Sequence, residues 1–201
     1  MTTLRFSVLG DSLAAGVGAA RPEDTLGQRL AGRLRAAGHT VDLHGFGVPR
    51  ARSDDLERQV GAALRTGVDL ALIVIGTNDL ARFVPPAIAA GQLHEAVARL
   101  VRAGARALVV PAPDLGIVSW VPAQYRQLVT AASGQYAQAQ ADAVIRAGGA
   151  VAAPGPELGA RFATDPALFS ADRFHPSSAG YEVIADALAP HLLAVAADLA
   201  A

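Results

Sequence analysis

Cysteine is absent from this 201-residue chain, and so is lysine. Without cysteine there is no disulfide, no thiolate nucleophile and no cysteine-ligated metal. Without lysine there is no Schiff-base catalysis and no P-loop. All 17 positive side chains are therefore arginine, which together with the abundance of alanine reads as a GC-rich coding bias. The five histidines, His39, His44, His94, His175 and His191, show no metal-ligand spacing. No metal and no cofactor is expected. Charged residues make up only 17% against 52% hydrophobic, which argues against a disordered chain. A net charge of −1 gives no whole-molecule attraction to nucleic acid or to an anionic membrane. No uncharged apolar run approaches the ~20 residues of a bilayer span. Met1-Thr2-Thr3 leads into Leu4-Arg5-Phe6 without a basic and then apolar leader. The expectation is a cytoplasmic protein with no membrane span; the composition assigns no oligomeric state.

What is present alternates strand and helix signals along the whole chain. Residues 4–9 are rich in strand formers and close on Gly10. Thr25 with Gln28 predicts a capping box opening a helix to about Ala37, with Leu26, Leu30 and Leu34 inward. A short strand is expected over 40–45. Asp54 with Glu57 predicts a second box, followed by a helix to about Arg65. The run Leu70 to Ile75 is uninterrupted and apolar, as a strand covered on both faces requires. A helix over 85–103, a strand over 107–110, a long helix to about Ala147 and a brief strand over 150–152 follow. Pro154, Gly155 and Pro156 are read as a return to loop, and the last helix starts near Ser178. This order predicts one α/β domain over residues 1–201, a three-layer sandwich around a parallel sheet of about five strands.

In such a sheet ligands bind at the carboxyl ends of the strands. Four polar stretches fall there: Gly10-Asp11-Ser12-Leu13, the loop from Gly47 to Ser53, Gly76-Thr77-Asn78-Asp79, and Asp172-Arg173-Phe174-His175. A serine hydroxyl needs a base to take its proton as it attacks, and His175 suits that task. Asp172, three residues earlier, can orient the ring and stabilise its cation.

Gly10-Asp11-Ser12-Leu13, Gly76-Thr77-Asn78-Asp79 and Asp172-Arg173-Phe174-His175-Pro176 resemble the first, third and fifth sequence blocks of the GDSL, or SGNH, hydrolases. The resemblance spans nearly the whole chain. It implies a flavodoxin-like fold and hydrolysis of a small-molecule ester by Ser12, with His175 as base and Asp172 orienting it. It also implies an oxyanion hole made by the Ser12 backbone N–H, the Asn78 side-chain amide and a backbone N–H from the second block. In that block Arg50 stands where the family has a glycine, with Gly47 the nearest alternative. Val84, Trp120, Val121, Tyr125 and Phe174 are candidate walls of an acyl pocket. Site loops that look short suggest an open cleft and short-chain esters. A transacylase or carbohydrate deacetylase on the same residues is an alternative, and a non-catalytic small-ligand module is another, although it would lack a GxGxxG fingerprint.

Overall fold

The computed structural model describes residues 3–118, 121–152 and 154–199. Five strands, β1 (Leu4–Gly10), β2 (Val41–Gly45), β3 (Leu70–Val74), β4 (Arg106–Val110) and β5 (Ala150–Val151), form one sheet in the order β2-β1-β3-β4-β5. Every pairing is parallel, with Val8 opposite Gly45 on one side and Leu72 on the other. Parallel strands need crossovers, and helices supply them: α1 (Leu26–Ala36), α2 (Leu56–Thr66), α3 (Thr77–Ala81), α4 (Pro86–Arg102), α5 (Arg126–Arg146), α6 (Pro156–Thr164) and α7 (Ser178–Ala197).

Alternation along each strand sends side chains into two separate cores. Phe6, Val8 and Leu72 pack with Leu30 and Leu34 of α1 and Tyr181, Leu188 and Leu192 of α7. Leu9, Ile73 and Val109 pack on the other face with α2, α4 and α5. The expected three-layer arrangement is therefore what the chain adopts. Of the described residues, α7 is the helix long and apolar enough to cross a bilayer by length and composition. Here it is a core helix: Glu182 pairs with Arg29 and Arg33, and Asp186 lies 2.6 Å from Arg33.

Local details correct the sequence reading in four places. Thr25 caps nothing with its side chain; its hydroxyl donates to the Pro22 carbonyl at 2.9 Å, because a 3-10 turn at Pro22–Asp24 already leads into α1. Asp54 is likewise not a cap. A 3-10 turn at Ser53–Asp55 precedes α2, and Asp55 accepts the Arg52 N–H at 3.0 Å. Thr77 to Ala81, where the sequence reading places no element, is a short helix. Pro156 starts α6 instead of prolonging a loop, since a proline at the first helical position sacrifices no hydrogen bond.

Candidate active site

Strand order reverses between β1 and β3, so the connections leaving these two strands diverge and open a crevice at their carboxyl ends. Gly10 closes β1 at φ +130°, and a Cβ there would come within 1.8 Å of the Val74 carbonyl oxygen. Only glycine fits. The buried side chain of Gln59 grips this peptide from α2, accepting the Gly10 N–H at 2.7 Å and donating to its carbonyl at 2.9 Å. Asp11 then donates its N–H to the Val74 carbonyl at 3.0 Å, while its carboxylate accepts the Leu13 N–H at 3.0 Å. Between these anchors Ser12 is turned out of the strand.

The Ser12 hydroxyl lies 3.0 Å from His175 Nε2, although 163 residues separate them. On the other side of the ring, His175 Nδ1 lies 2.6 Å from Asp172 Oδ2. The second oxygen of Asp172 accepts three more bonds, from the Ser170 hydroxyl at 2.8 Å and the N–H groups of Phe174 and His175 at 2.8 and 2.9 Å. Burial pulls the Asp172 carboxyl upward. The four bonds outweigh it and hold the group well below the usual carboxylate range. The Phe174 ring stands edge-on to the imidazole, with centroids 4.9 Å apart. Tyr181 of α7 donates to the Val17 carbonyl at 2.7 Å, tying the histidine side of the crevice to the serine loop.

Two further stretches meet in this crevice. Val48, Pro49, Arg50 and Ala51 make a turn closed by Ala51 N–H on the Val48 carbonyl at 3.0 Å. Pro49 requires a negative φ at the second position and Arg50 takes φ +70° at the third, the signature of a type II turn. Arg50 thus adopts the backbone that the family's glycine would favour. Gly47 is kept to glycine by its own packing, because a Cβ there would meet the Ala15 backbone nitrogen at 2.6 Å. From α3, the Asn78 amide donates to the Ala51 carbonyl at 3.0 Å, leaving its second N–H uncommitted to that bond. Asp79 accepts the N–H and the hydroxyl of Ser53, each at 3.0 Å. Among the described residues, the backbone N–H groups of Ser12 and Arg50 have no hydrogen-bond partner.

Sequence reasoning missed three side chains of this assembly. Gln59 was detectable only as a polar residue on the stripe of Leu56, Val60 and Ala63. Asp79 reads as a turn former, yet it is buried, and burial raises its pKa against the pull of its Ser53 bonds. Asp11 is buried too. Loss of water raises its pKa to about 6, with the Leu13 N–H and the nearby charge of His175 opposing the shift.

An apolar cavity of about 410 Å³ begins at Leu13 and Phe174, the neighbours of Ser12 and His175. It extends past Val110 and Leu115 to Leu158 and Phe162 of α6. α6, where the sequence predicts loop, supplies a wall of this cavity beyond the short site loops. Of the proposed walls, Phe174 lines the cavity. Val84 packs with Ala89, Ala112 and Tyr136, Val121 with Leu115 and Val118, and Tyr125 faces solvent. Trp120 lies outside the described residues.

Comparison with known proteins agrees with this geometry. Residues 8–183 match the GDSL-like lipase/acylhydrolase family. A GDSL-like esterase of Mycobacterium tuberculosis is 36% identical over 189 residues, covering 92% of this chain and 60% of the relative. The chain thus spans about 60% of the length of that relative. Among solved structures, TesA superposes with a TM-score of 0.78 at 22% identity, covering 95% of this chain and 99% of that one. Axe2, an acetylxylan esterase from Geobacillus stearothermophilus, superposes with a TM-score of 0.76 at 17% identity, covering 96% of this chain and 95% of that one. At these identities the structural likeness speaks for the fold.

Proposed function

Because the chain belongs to the GDSL-like lipase/acylhydrolase family, we propose that it hydrolyses carboxylic esters through Ser12, His175 and Asp172, and that the acyl chain lies in the cavity at Leu13 and Phe174. The observation that carries this reading is the continuous contact from the Ser12 hydroxyl through both nitrogens of His175 to Asp172. In the proposed reaction the Ser12 oxygen attacks the ester carbonyl as His175 Nε2 takes the hydroxyl proton. Asp172 holds the tautomer with the proton on Nδ1 and stabilises the imidazolium. The buried charge of Asp11 adds to that stabilisation, since it interacts favourably with a cationic His175.

The tetrahedral oxyanion would be met by the unpaired N–H groups of Ser12 and Arg50 and by the second amide proton of Asn78. Losing one such donor typically costs ~2.7–4 kcal/mol of barrier. Asp79 and Asn78 clamp the Arg50 turn from α3, so these donors are held before substrate arrives. His175 then returns its proton to the leaving alcohol, and water attacks the acyl-serine by the same base assistance. An apolar cavity of this size favours an acyl chain several carbons long over acetyl. Labelling with a fluorophosphonate and mapping the modified peptide tests the assignment. Modification of Ser12, with turnover lost in Ser12→Ala at unchanged thermal stability, is the expected result. A labelled residue elsewhere, or an active Ser12→Ala enzyme, would overturn it.

A further inference from the structure

The sheet's carboxyl edge carries an apolar rim that the chemistry does not use. Among the described residues six large apolar side chains are exposed, and five of them lie on this edge: Val48, Phe83, Ile88, Tyr125 and Leu128. Their placement follows from topology. All strands are parallel, so the chain leaves β3 and β4 at this edge, and α4 and α5 begin there. Leu80 of α3 packs against both the cluster of Ala89, Ala112 and Tyr136 and that of Leu115, Val118 and Val121, which brings the two segments side by side. Ile145, the sixth, sits at the far end of α5.

Phe83 is the extreme case. Its residue is 91% exposed and held at φ +55°, a conformation unfavourable for a side chain with a Cβ. Among the described residues the other non-glycine positions at positive φ are Arg50 and Arg173, both exposed and both on the same edge. Strained backbone around this face therefore presents two guanidinium groups and a phenyl ring to solvent. Charge on the part of the rim around Phe83 and Leu128 has one sign. Residues 80–94 and 115–141 contain no aspartate or glutamate, and they carry the exposed Arg82 and Arg126. Among the described residues, Arg50, Arg82 and Arg173 have no salt-bridge partner.

We propose that this rim is a docking surface for an anionic lipid–water interface. Exposed Phe, Ile, Tyr and Leu interleaved with arginine suit the boundary of headgroup and acyl chain, where apolar burial and attraction to anionic lipid act together. A second copy of this chain fits poorly, because a two-fold contact through the rim would bring Arg82 and Arg126 against their own copies without an acidic residue between them. Docking here would set the mouth of the apolar cavity against the lipid. The near-neutral total charge hides this face, since its acidic neighbours Asp54, Asp55 and Asp172 are already paired with Arg52, Arg58 and His175.

Co-sedimentation of the full chain with vesicles tests the surface independently of catalysis. Vesicles of equimolar phosphatidylglycerol and phosphatidylcholine should bind the parent, and vesicles of phosphatidylcholine alone should bind it weakly. Ser12→Ala should bind like the parent, so a wrong nucleophile assignment would leave this result intact. The double variant Phe83→Ser, Leu128→Ser should lower the bound fraction about tenfold. Arg82→Glu should remove the preference for the anionic vesicles. Both should keep parental turnover on a soluble monomeric ester, which shows that they remain folded. Absence of vesicle binding by the parent, or binding unchanged in these variants, would overturn the proposal. So would a concentration-dependent dimer that Phe83→Ser abolishes, because the rim would then serve a second copy.

Discussion

Asp11 and Arg50 are the two residues whose environments work against them. The Asp11 carboxyl is buried and its pKa is raised to about 6. Unfolded, the same group ionises near 3.9. The folded state therefore bears a penalty for the charged form that is absent below pH 4, grows between pH 4 and 6, and is constant above. Asp11→Asn keeps the acceptor for the Leu13 N–H and removes the charge. Its gain in stability should reach roughly 2–3 kcal/mol at pH 8 and vanish near pH 4. Thermal melts of both proteins across that range measure it. A gain of equal size at every pH would show that the charge is not its source. The same variant should turn over more slowly, because the imidazolium of His175 loses a facing negative charge. At Arg50 the penalty is conformational, about 1–3 kcal/mol for a non-glycine residue in the left-handed region. Glycine relieves it at an entropic cost of roughly 0.5–1 kcal/mol. Arg50→Gly should therefore be slightly more stable than the parent and remain active on neutral esters, with its backbone donor intact. Measuring kcat/KM on a neutral and a carboxylated ester of equal length checks the side chain. Selective loss on the acidic ester assigns the guanidinium to substrate, and equal collapse on both assigns Arg50 to holding the turn. Ser12, Asp172 and His175 were legible because each sits in a short run of characteristic residues. Asp11, Asp79 and Gln59 were not, because what distinguishes them is burial.

Elements differ in how plainly they announce themselves. β1, β3, α1, α2 and α4 carry apolar periods long enough to be read directly, and their bounds differ from expectation by a residue or two. α3 and α6 did not. A five-residue helix shows no periodicity, and α6 begins behind Pro154-Gly155-Pro156, residues that also make loops. The omission mattered, because α6 supplies Leu158 and Phe162 to the cavity. If that cavity holds the acyl chain, filling its α6 end should shorten the preferred substrate. Leu158→Trp should lower kcat/KM at least about tenfold on an octanoyl ester while leaving a butyryl ester nearly unaffected, the scale expected when several methylenes lose their site. Parallel loss on both esters would place the acyl chain elsewhere. Two buried amides reinforce the elements around the crevice. Gln59 bonds both polar groups of Gly10, and Gln140 of α5 joins the Ala112 N–H to the Ile75 carbonyl. Each completes hydrogen bonds that the ends of parallel strands leave open, so the loops beyond them start from fixed points.

Across the whole molecule, the proposed chemistry requires nothing that a chelator removes. Its nucleophile, base and oxyanion donors all belong to the protein, and turnover should survive exhaustive chelation. A loss restored by a divalent ion would show that hydrolysis runs through a different centre. The composition by itself excluded thiol, Schiff-base and P-loop chemistry, since missing residue types cannot be supplied by folding. The order of apolar periods determined the α/β class, because parallel strands with intervening helices leave few ways to cover both faces of a sheet. The motif blocks named the residues proposed to carry the chemistry. Only the tertiary structure decided that Ser12 and His175 meet at 3.0 Å, that Arg50 occupies a left-handed turn, and that Asn78 and Asp79 hold that turn. It alone also decided that α6 encloses an apolar cavity and that the exposed apolar side chains gather on one edge. The reason is physical: composition and period are properties of neighbours along the chain, whereas distance, burial and surface asymmetry arise between segments far apart in sequence.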